Sequence, residues 1–272
     1  MDRPALWLDL TTVSSSGKTS PMVGIRCGET ELMEGMKPGE RPRRFSDSQL
    51  LVWFPLMLLV LTSVSCRLCD LDLRVSGTFW SATTQSWPGK SLNVCLMLHR
   101  YGGVPGVGLI VAAFGVALFS KQRFAESLFR RGAVCVILCA AIGQWAVVNE
   151  GFKNHWGRPR PIQTTNFGGA LPFAPLGVPG NGPRNSSFPS GHAAIAFFTM
   201  TPGVLLWQRS RQAALLILAG GAVYGFVVGA SRILMGAHYI SDVIWSAGLT
   251  HFIAVLMGWR MGFLVFTESL SG

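Results

Sequence analysis

From Leu50 onward the chain consists of long, nearly uncharged apolar runs separated by short connections that hold most of its cations. A bilayer-spanning helix needs roughly 17 to 25 apolar residues, and six stretches have that character: Leu50–Cys66, Val104–Phe119, Gly132–Asn149, Gly191–Trp207, Ala213–Ala230 and Val243–Trp259. The pattern predicts an all-α integral membrane bundle of six transmembrane helices over residues 50–272. Pro55 and Pro202 fall inside two of the runs, which membrane helices tolerate when neighbours satisfy the freed backbone groups. A shorter apolar stretch, Leu92–Leu98, cannot cross and is expected at the interface or against a loop. The first 49 residues mix Ser, Gly, Pro and both signs of charge without a signal-type apolar core, so they read as a disordered cytoplasmic tail. Met22, Met33 and Met36 offer later starts within it.

Charge sets the orientation. Lys37, Arg41, Arg43 and Arg44 precede the first run, Lys121, Arg123, Arg130 and Arg131 follow the second, and Arg209 and Arg211 follow the fourth. Positive connections stay inside, so both termini are expected in the cytoplasm, with the loops after runs one, three and five outside. The segment Arg67–Arg100 also carries cations and weakens the bias. The net charge of +10 does not point to nucleic acid, because the cations cluster at span ends and not on an aromatic-studded soluble face; anionic lipid is the expected partner. Nothing in the sequence speaks to an oligomeric state. Cys66 and Cys69 form a lone C-x-x-C without a second pair, which makes a metal site a poor expectation, although an oxidising compartment would let them bond.

Only 13% of the chain is charged, yet "KNHWGRPRP" packs Lys153, His155, Arg158 and Arg160 behind an apolar run. From Gly151 to Ser241 there is no Asp or Glu. Cations held near a membrane without carboxylates point to lipid phosphate or another bound anion. Pro159 and Pro161 bias the preceding arginines toward extended backbone, which presents their planar forks stiffly for bidentate phosphate contact. A second stretch, "FPSGHAA", opens the fourth run, with Ser190 as an expected N-cap, Gly191 allowing close approach and His192 in the first turn. The third, "SRILMGAHYISD", places His238 and Asp242 four residues apart, where a helix puts them on one face and the carboxylate can orient the imidazole. Singly, these stretches read as a headgroup anchor, a capped helix and a structural His–Asp pair. Six spans would bring all three to the same outer face.

Together they resemble the type 2 phosphatidic acid phosphatase superfamily, whose pattern is K-x6-R-P, P-S-G-H and S-R-x5-H-x3-D. Lys153 to Arg160-Pro161, Pro189 to His192, and Ser231-Arg232 with His238 and Asp242 fill every position. The resemblance covers about the last 120 residues strongly. It implies that His238 is a nucleophile oriented by Asp242, that His192 is the acid and then the base, and that Lys153, Arg160, Ser190, Gly191 and Arg232 hold the phosphoryl oxygens. Arg158 lies outside the pattern and is expected behind the site or at the headgroup. No metal or cofactor is implied.

The first motif is similar in form to that of the superfamily's bacterial lipid A phosphatases. It leads to the expectation of a multi-pass protein of the bacterial inner membrane with a periplasmic site, acting on lipid A, phosphatidylglycerophosphate, phosphatidate or undecaprenyl pyrophosphate. Lipid-to-lipid phosphotransfer, a non-catalytic lipid binder or transporter, and a zinc hydrolase built from His192, His238 and Asp242 are the alternatives. The superfamily's soluble vanadate-dependent haloperoxidases do not suit a six-span chain.

Overall fold

The computed structural model describes residues 47–120 and 128–266. The expected tail therefore falls outside the described residues up to residue 46, as do Lys121 and Arg123. Its last three residues do not, because helix α1 begins at Asp47. Among the described residues the protein is helical throughout, without a strand: α1 (Asp47–Leu68), α2 (Leu71–Thr78), α3 (Asn93–Tyr101), α4 (Val104–Phe119), α5 (Leu128–Cys139), α6 (Gly191–Phe197), α7 (Thr201–Leu206), α8 (Arg211–Leu234) and α9 (Ile240–Arg260). A π-helical stretch, Ala140–Lys153, continues α5 without a break.

Among the described residues, five helical runs are long and apolar enough to cross a membrane: Ser48–Leu68, Asn93–Phe119, Leu128–Lys153, Arg211–Leu234 and Ile240–Arg260. The expected fourth span is shorter, Gly191–Leu206, and is interrupted by a 3-10 turn at Phe198–Met200 before α7. Pro202 sits at the start of α7, where its missing N–H costs nothing. The second span, by contrast, is longer than the sequence suggests. Gly102 and Gly103 keep right-handed helical dihedrals, so Leu92–Leu98 is not an isolated interfacial piece but lies on an extension that prolongs the span.

The broken helix α6–α7 is the centre of the bundle. Ala193, Ala194, Ala196 and Phe197 are fully buried, with α8 and α9 packed on either side. Small residues allow that approach: a Cβ on Gly225 would run into the Phe197 ring, and one on Gly229 into Val243. Close backbone approach through glycine is how helices associate where lipid removes the usual hydrophobic drive. Outward, Trp53, Phe54 and Leu61 on α1, Val111 and Phe114 on α4, and Leu216 and Val223 on α8 are exposed, the character of a lipid-facing wall. Polar contacts also tie the helices together: Trp245 donates to Ser63 Oγ at 3.0 Å, and the His251 ring nitrogen Nε2 lies 2.7 Å from the Leu51 carbonyl.

The connection from α5 to α6 folds over one end of the bundle. Gly157, at φ +64°, brings its backbone against Gly180 and Gly182, where any side chain would collide. The Lys153 and Arg158 carbonyls accept from the Ser186 and Ser187 amides at 2.9 and 2.8 Å. This clasp turns the segment back to the start of α6 and brings the first motif beside the second.

Candidate active site

A cavity of about 450 Å³ opens at that end of the bundle, and all three motifs reach it. The π-helical stretch delivers Asn149 and Lys153; the clasped loop delivers Arg160 and Asn185; the start of α6 delivers Gly191 and His192; the α8–α9 junction delivers Arg232 and His238. Such π-helical turns commonly mark functional sites, because they rotate side chains off the regular helical faces. A Cβ added to Gly191 would lie 3.6 Å from Lys153 Nζ, so the bare backbone keeps this flank open.

His238 is the most constrained member. It is 1% exposed, and its Nδ1 lies 2.7 Å from the Ser187 carbonyl oxygen. A carbonyl can only accept, so Nδ1 carries the proton and Nε2 keeps a free lone pair. Burial pushes its pKa down to about 3, assisted by the positive charge of Lys153 and opposed by Asp242. The imidazole is therefore neutral, the form a nucleophile needs.

The sequence suggests that Asp242 accepts directly from His238, and here the structure differs. Asp242 Oδ2 is 3.7 Å from Nδ1, beyond a hydrogen bond. It accepts instead from Ser187 Oγ at 2.5 Å and from the Tyr239 amide at 2.8 Å. Ser187 is thus the intermediary, with its carbonyl on the imidazole and its hydroxyl on the carboxylate. Asp242 orients His238 through it and acts on the ring by charge alone.

Arg158 is placed far from any headgroup role. It is completely buried, with Nη1 2.5 Å from Asp242 Oδ1 and Nη2 2.7 Å from Asp72 Oδ2. Nε donates to the Ala174 carbonyl at 2.9 Å, and the guanidinium lies over the Tyr239 ring. Burial opposes its charge, but Asp242 and Asp72 prevail and raise its pKa above the usual value. Asp72 also accepts from the amide and hydroxyl of Ser241, at 3.0 and 2.7 Å. Sequence reading missed Asp72 and Ser187. For Asp72 a signal existed: a buried arginine needs a carboxylate, and acids are scarce between Asp47 and Asp242. Ser187 could not have been found, because its contribution is largely a main-chain carbonyl.

Lys153, Arg160 and Arg232 are different: among the described residues none of them pairs with a carboxylate. Arg160 donates to the Asn185 carbonyl at 3.1 Å, and Arg232 Nη1 to the Met235 sulfur at 3.4 Å. Arg232 Nε and Ser190 Oγ are buried without any partner. Ser190 does not cap α6 with its side chain, contrary to expectation; its amide is held by the Asp242 carbonyl at 3.3 Å. An unsatisfied buried donor is costly, and these belong to residues whose type and place suit an anion. His99 and Arg100, on the helical extension ahead of α4, also line the cavity, with the His99 ring 4.8 Å from that of His192. Neither lies in a motif.

Residues 132–266 match the PAP2 superfamily. This segment is a PAP2 superfamily domain. It spans α5 to the end of α9, and so holds every motif residue of the cavity. A lipid A 4'-phosphatase of Francisella tularensis subsp. novicida is 28% identical over 179 residues, covering 65% of this chain and 79% of that protein. Lipid A 4'-phosphatases of Rhizobium leguminosarum and Rhizobium etli are 42% and 40% identical over 118 and 143 residues, covering 42% and 52% of this chain. The chain spans about half the length of these two Rhizobium relatives, 49% and 52%. A transmembrane PAP2-type phosphatidylglycerolphosphate phosphatase from Bacillus subtilis superposes with a TM-score of 0.41 at 17% identity, over 79% of this chain and 98% of that one.

The PAP2 domain and its apolar helices make this a multi-pass membrane protein. Its cavity does not suit the zinc alternative. Both Asp242 oxygens are engaged by Arg158, Ser187 and the Tyr239 amide, and the described residues contain no cluster of three metal-type ligands.

Proposed function

We propose that this membrane lipid phosphatase cleaves a phosphate monoester, or a pyrophosphate, on a lipid headgroup through a phosphohistidine at His238, without a metal. The observation that carries this reading is the pairing of a neutral imidazole whose Nε2 is free with three cations that have no carboxylate partner in the same cavity. Phosphoryl transfer is catalysed chiefly by positioning and by charges arranged around the equatorial oxygens. Lys153, Arg160 and Arg232, with the Ser190 hydroxyl and the Gly191 amide, are the donors for those oxygens. The Nε2 lone pair forms the N–P bond as the P–O ester bond breaks, and His192 gives its proton to the leaving alkoxide. His192, now neutral, takes a proton from the water that attacks phosphorus; the N–P bond breaks and inorganic phosphate leaves. Throughout, Nδ1–H stays on the Ser187 carbonyl, and Asp242 offsets the positive charge that grows on the ring.

The relatives' names favour lipid A as the substrate over phosphatidylglycerophosphate, phosphatidate and undecaprenyl pyrophosphate. Purified protein in detergent with EDTA is expected to release phosphate at the rate seen without EDTA, and fastest from lipid A. Loss of release on chelation would overturn the metal-free scheme, and transfer of labelled phosphate to a second lipid in place of water would favour phosphotransfer. Silence on all four lipids would leave a non-catalytic lipid binder.

The same reading takes Gly191–Leu206 as a sixth span, residues 50–272 as one phosphatase unit, and the cavity as facing the periplasm from the bacterial inner membrane. Arg130, Arg131, Arg209 and Arg211 at the opposite helix ends support that orientation. A protease site inserted at the exposed Gly177 turn, around which there is open space, is expected to be cut from outside in spheroplasts, whereas one at Ser210 is not. The reverse pattern would invert the topology.

A further inference from the structure

His192 is the acid and base of the reading above, yet its own motif leaves its ring untied. Among the described residues no hydrogen bond fixes either of its nitrogens, whereas the His238 ring is held by the Ser187 carbonyl at 2.7 Å. The charged groups that share the cavity with it are the cations Lys153, Arg160, Arg232 and Arg100. None of the described ion pairs brings a carboxylate to its ring. The outer torsion of a histidine is broad and roughly two-fold. An untethered imidazole therefore turns its nitrogens away from an ester oxygen as readily as toward it, and an acid–base group works only within hydrogen-bond reach of the proton it moves.

One side chain does restrain the ring. The centroid of His99 lies 4.8 Å from that of His192, with the two planes tilted by 46°, a spacing at which aromatic side chains attract each other. His99 stands in the last turn of α3, outside residues 132–266 that match the superfamily. Packing of the long second span places it there. Tyr224 of α8 donates to the Gly102 carbonyl at 3.0 Å, and a Cβ on Gly102 would press on Val228 of the same helix. One turn on, a Cβ on Gly106 would collide with the Ile195 carbonyl of α6. These two glycines seat the span against α8 and α6 at once. Cys95, 1% exposed, marks the inward face of α3, and His99 lies four residues on, along that same face. The continuous helix thus carries His99 to the first turn of α6.

We propose that His99 is a positioning residue for His192: its ring packs on the imidazole of the acid–base residue and keeps it turned toward the ester oxygen of the bound lipid phosphate. His99 forms no bond to phosphorus and moves no proton in this scheme; the flat face of its ring is what acts. The inference rests on the hydrolase reading above, in which His192 protonates the leaving alkoxide, and adds to it a support from a helix beyond the three motifs. It also gives the unbroken passage from α3 into α4 a purpose, since a break at Gly102 and Gly103 would uncouple His99 from the bundle.

The test is a double-substitution cycle. Phosphate release is measured as kcat/KM on whichever of lipid A and phosphatidate the wild type cleaves faster. His99 is exposed, so His99→Ala opens no core cavity; if it nevertheless melts early, His99→Gln, polar but without a ring, takes its place. A misplaced reacting group costs up to about 10² in rate, and His99→Ala is expected to fall about tenfold. His99→Phe, which keeps a flat face without a titrating nitrogen, is expected to stay within about threefold of wild type. His192→Ala is expected to fall on the order of 10³-fold. Adding His99→Ala to it is expected to cost nothing more, because a residue that acts through a ring has nothing to position once that ring is gone. A double variant about tenfold slower than His192→Ala would show that His99 acts apart from His192. His99→Ala at the wild-type rate would make the contact idle, and His99→Phe as slow as His99→Ala would mean that a nitrogen and not a face is used; each of these three overturns the proposal. A His192→Ala protein as active as wild type, or a wild type silent on both lipids, would instead sink the reading on which it stands.

Discussion

His238→Ala is expected to lower phosphate release at least on the order of 10⁴-fold, since removing the proposed nucleophile leaves only binding and oxyanion stabilisation. Wild-type protein given ³²P-labelled lipid and quenched with alkali is expected to carry an acid-labile label that the variant lacks. A variant that retains activity, or a wild-type label that survives acid, would remove His238 from the reaction. A melting curve separates this from loss of fold, and its pH dependence is itself informative. Burial holds the His238 pKa near 3, below the unfolded value of about 6.5. The unfolded chain therefore takes up this proton first as pH falls. The stability linked to the neutral imidazole is present above pH 6.5 and is lost progressively toward pH 3. His238→Gln is expected to flatten that acid limb while staying inactive.

Arg158→Met is expected to be the most damaging substitution outside the cavity. Arg158 is fully buried between Asp72 and Asp242, with side-chain exposures of 0%, 2% and 0% in the two pairs. Truncating one partner of a buried ion pair costs about 3–5 kcal/mol, because the remaining charge is stranded in a poor dielectric. Here two carboxylates would be stranded together. For a chain of this size such a loss corresponds to a fall in melting temperature of about 10 °C. Activity is expected to fall too, since Asp242 holds Ser187, and Ser187 holds His238. Pairing Arg158→Met with Asp72→Asn removes one stranded charge and is expected to recover part of the stability but not the rate. A melting temperature equal to wild type in Arg158→Met would show that the triad does not anchor the site.

These two substitutions also separate what was readable from what was not. His238, His192, Lys153, Arg160 and Arg232 could be named from the chain because they fill the spaced motifs of the PAP2 resemblance, and the fold brings all five to one cavity. The apolar runs were equally legible, since a lipid environment demands long stretches without charge. The length of the second span and the interruption of the fourth were not. Gly102 and Gly103 can break or continue a helix, and Pro202 can sit inside a helix or start a new one; packing against α8 and α9 chose between them. The partners of Arg158 were hidden for a related reason. Asp72 is 86 residues away in sequence, and only the approach of α2 to the α8–α9 junction made it the counter-ion, which puts Arg158, expected either behind the site or at the headgroup, behind the site. The sequence by itself determined the membrane class, the helical architecture and the motif residues that meet in one cavity, because each follows from local composition or from the spacing of the motifs. The tertiary structure alone decided which cations stay free and which are neutralised, and that a main-chain carbonyl fixes the His238 proton, because burial and long-range charge pairing are properties of packed neighbours and not of positions along the chain.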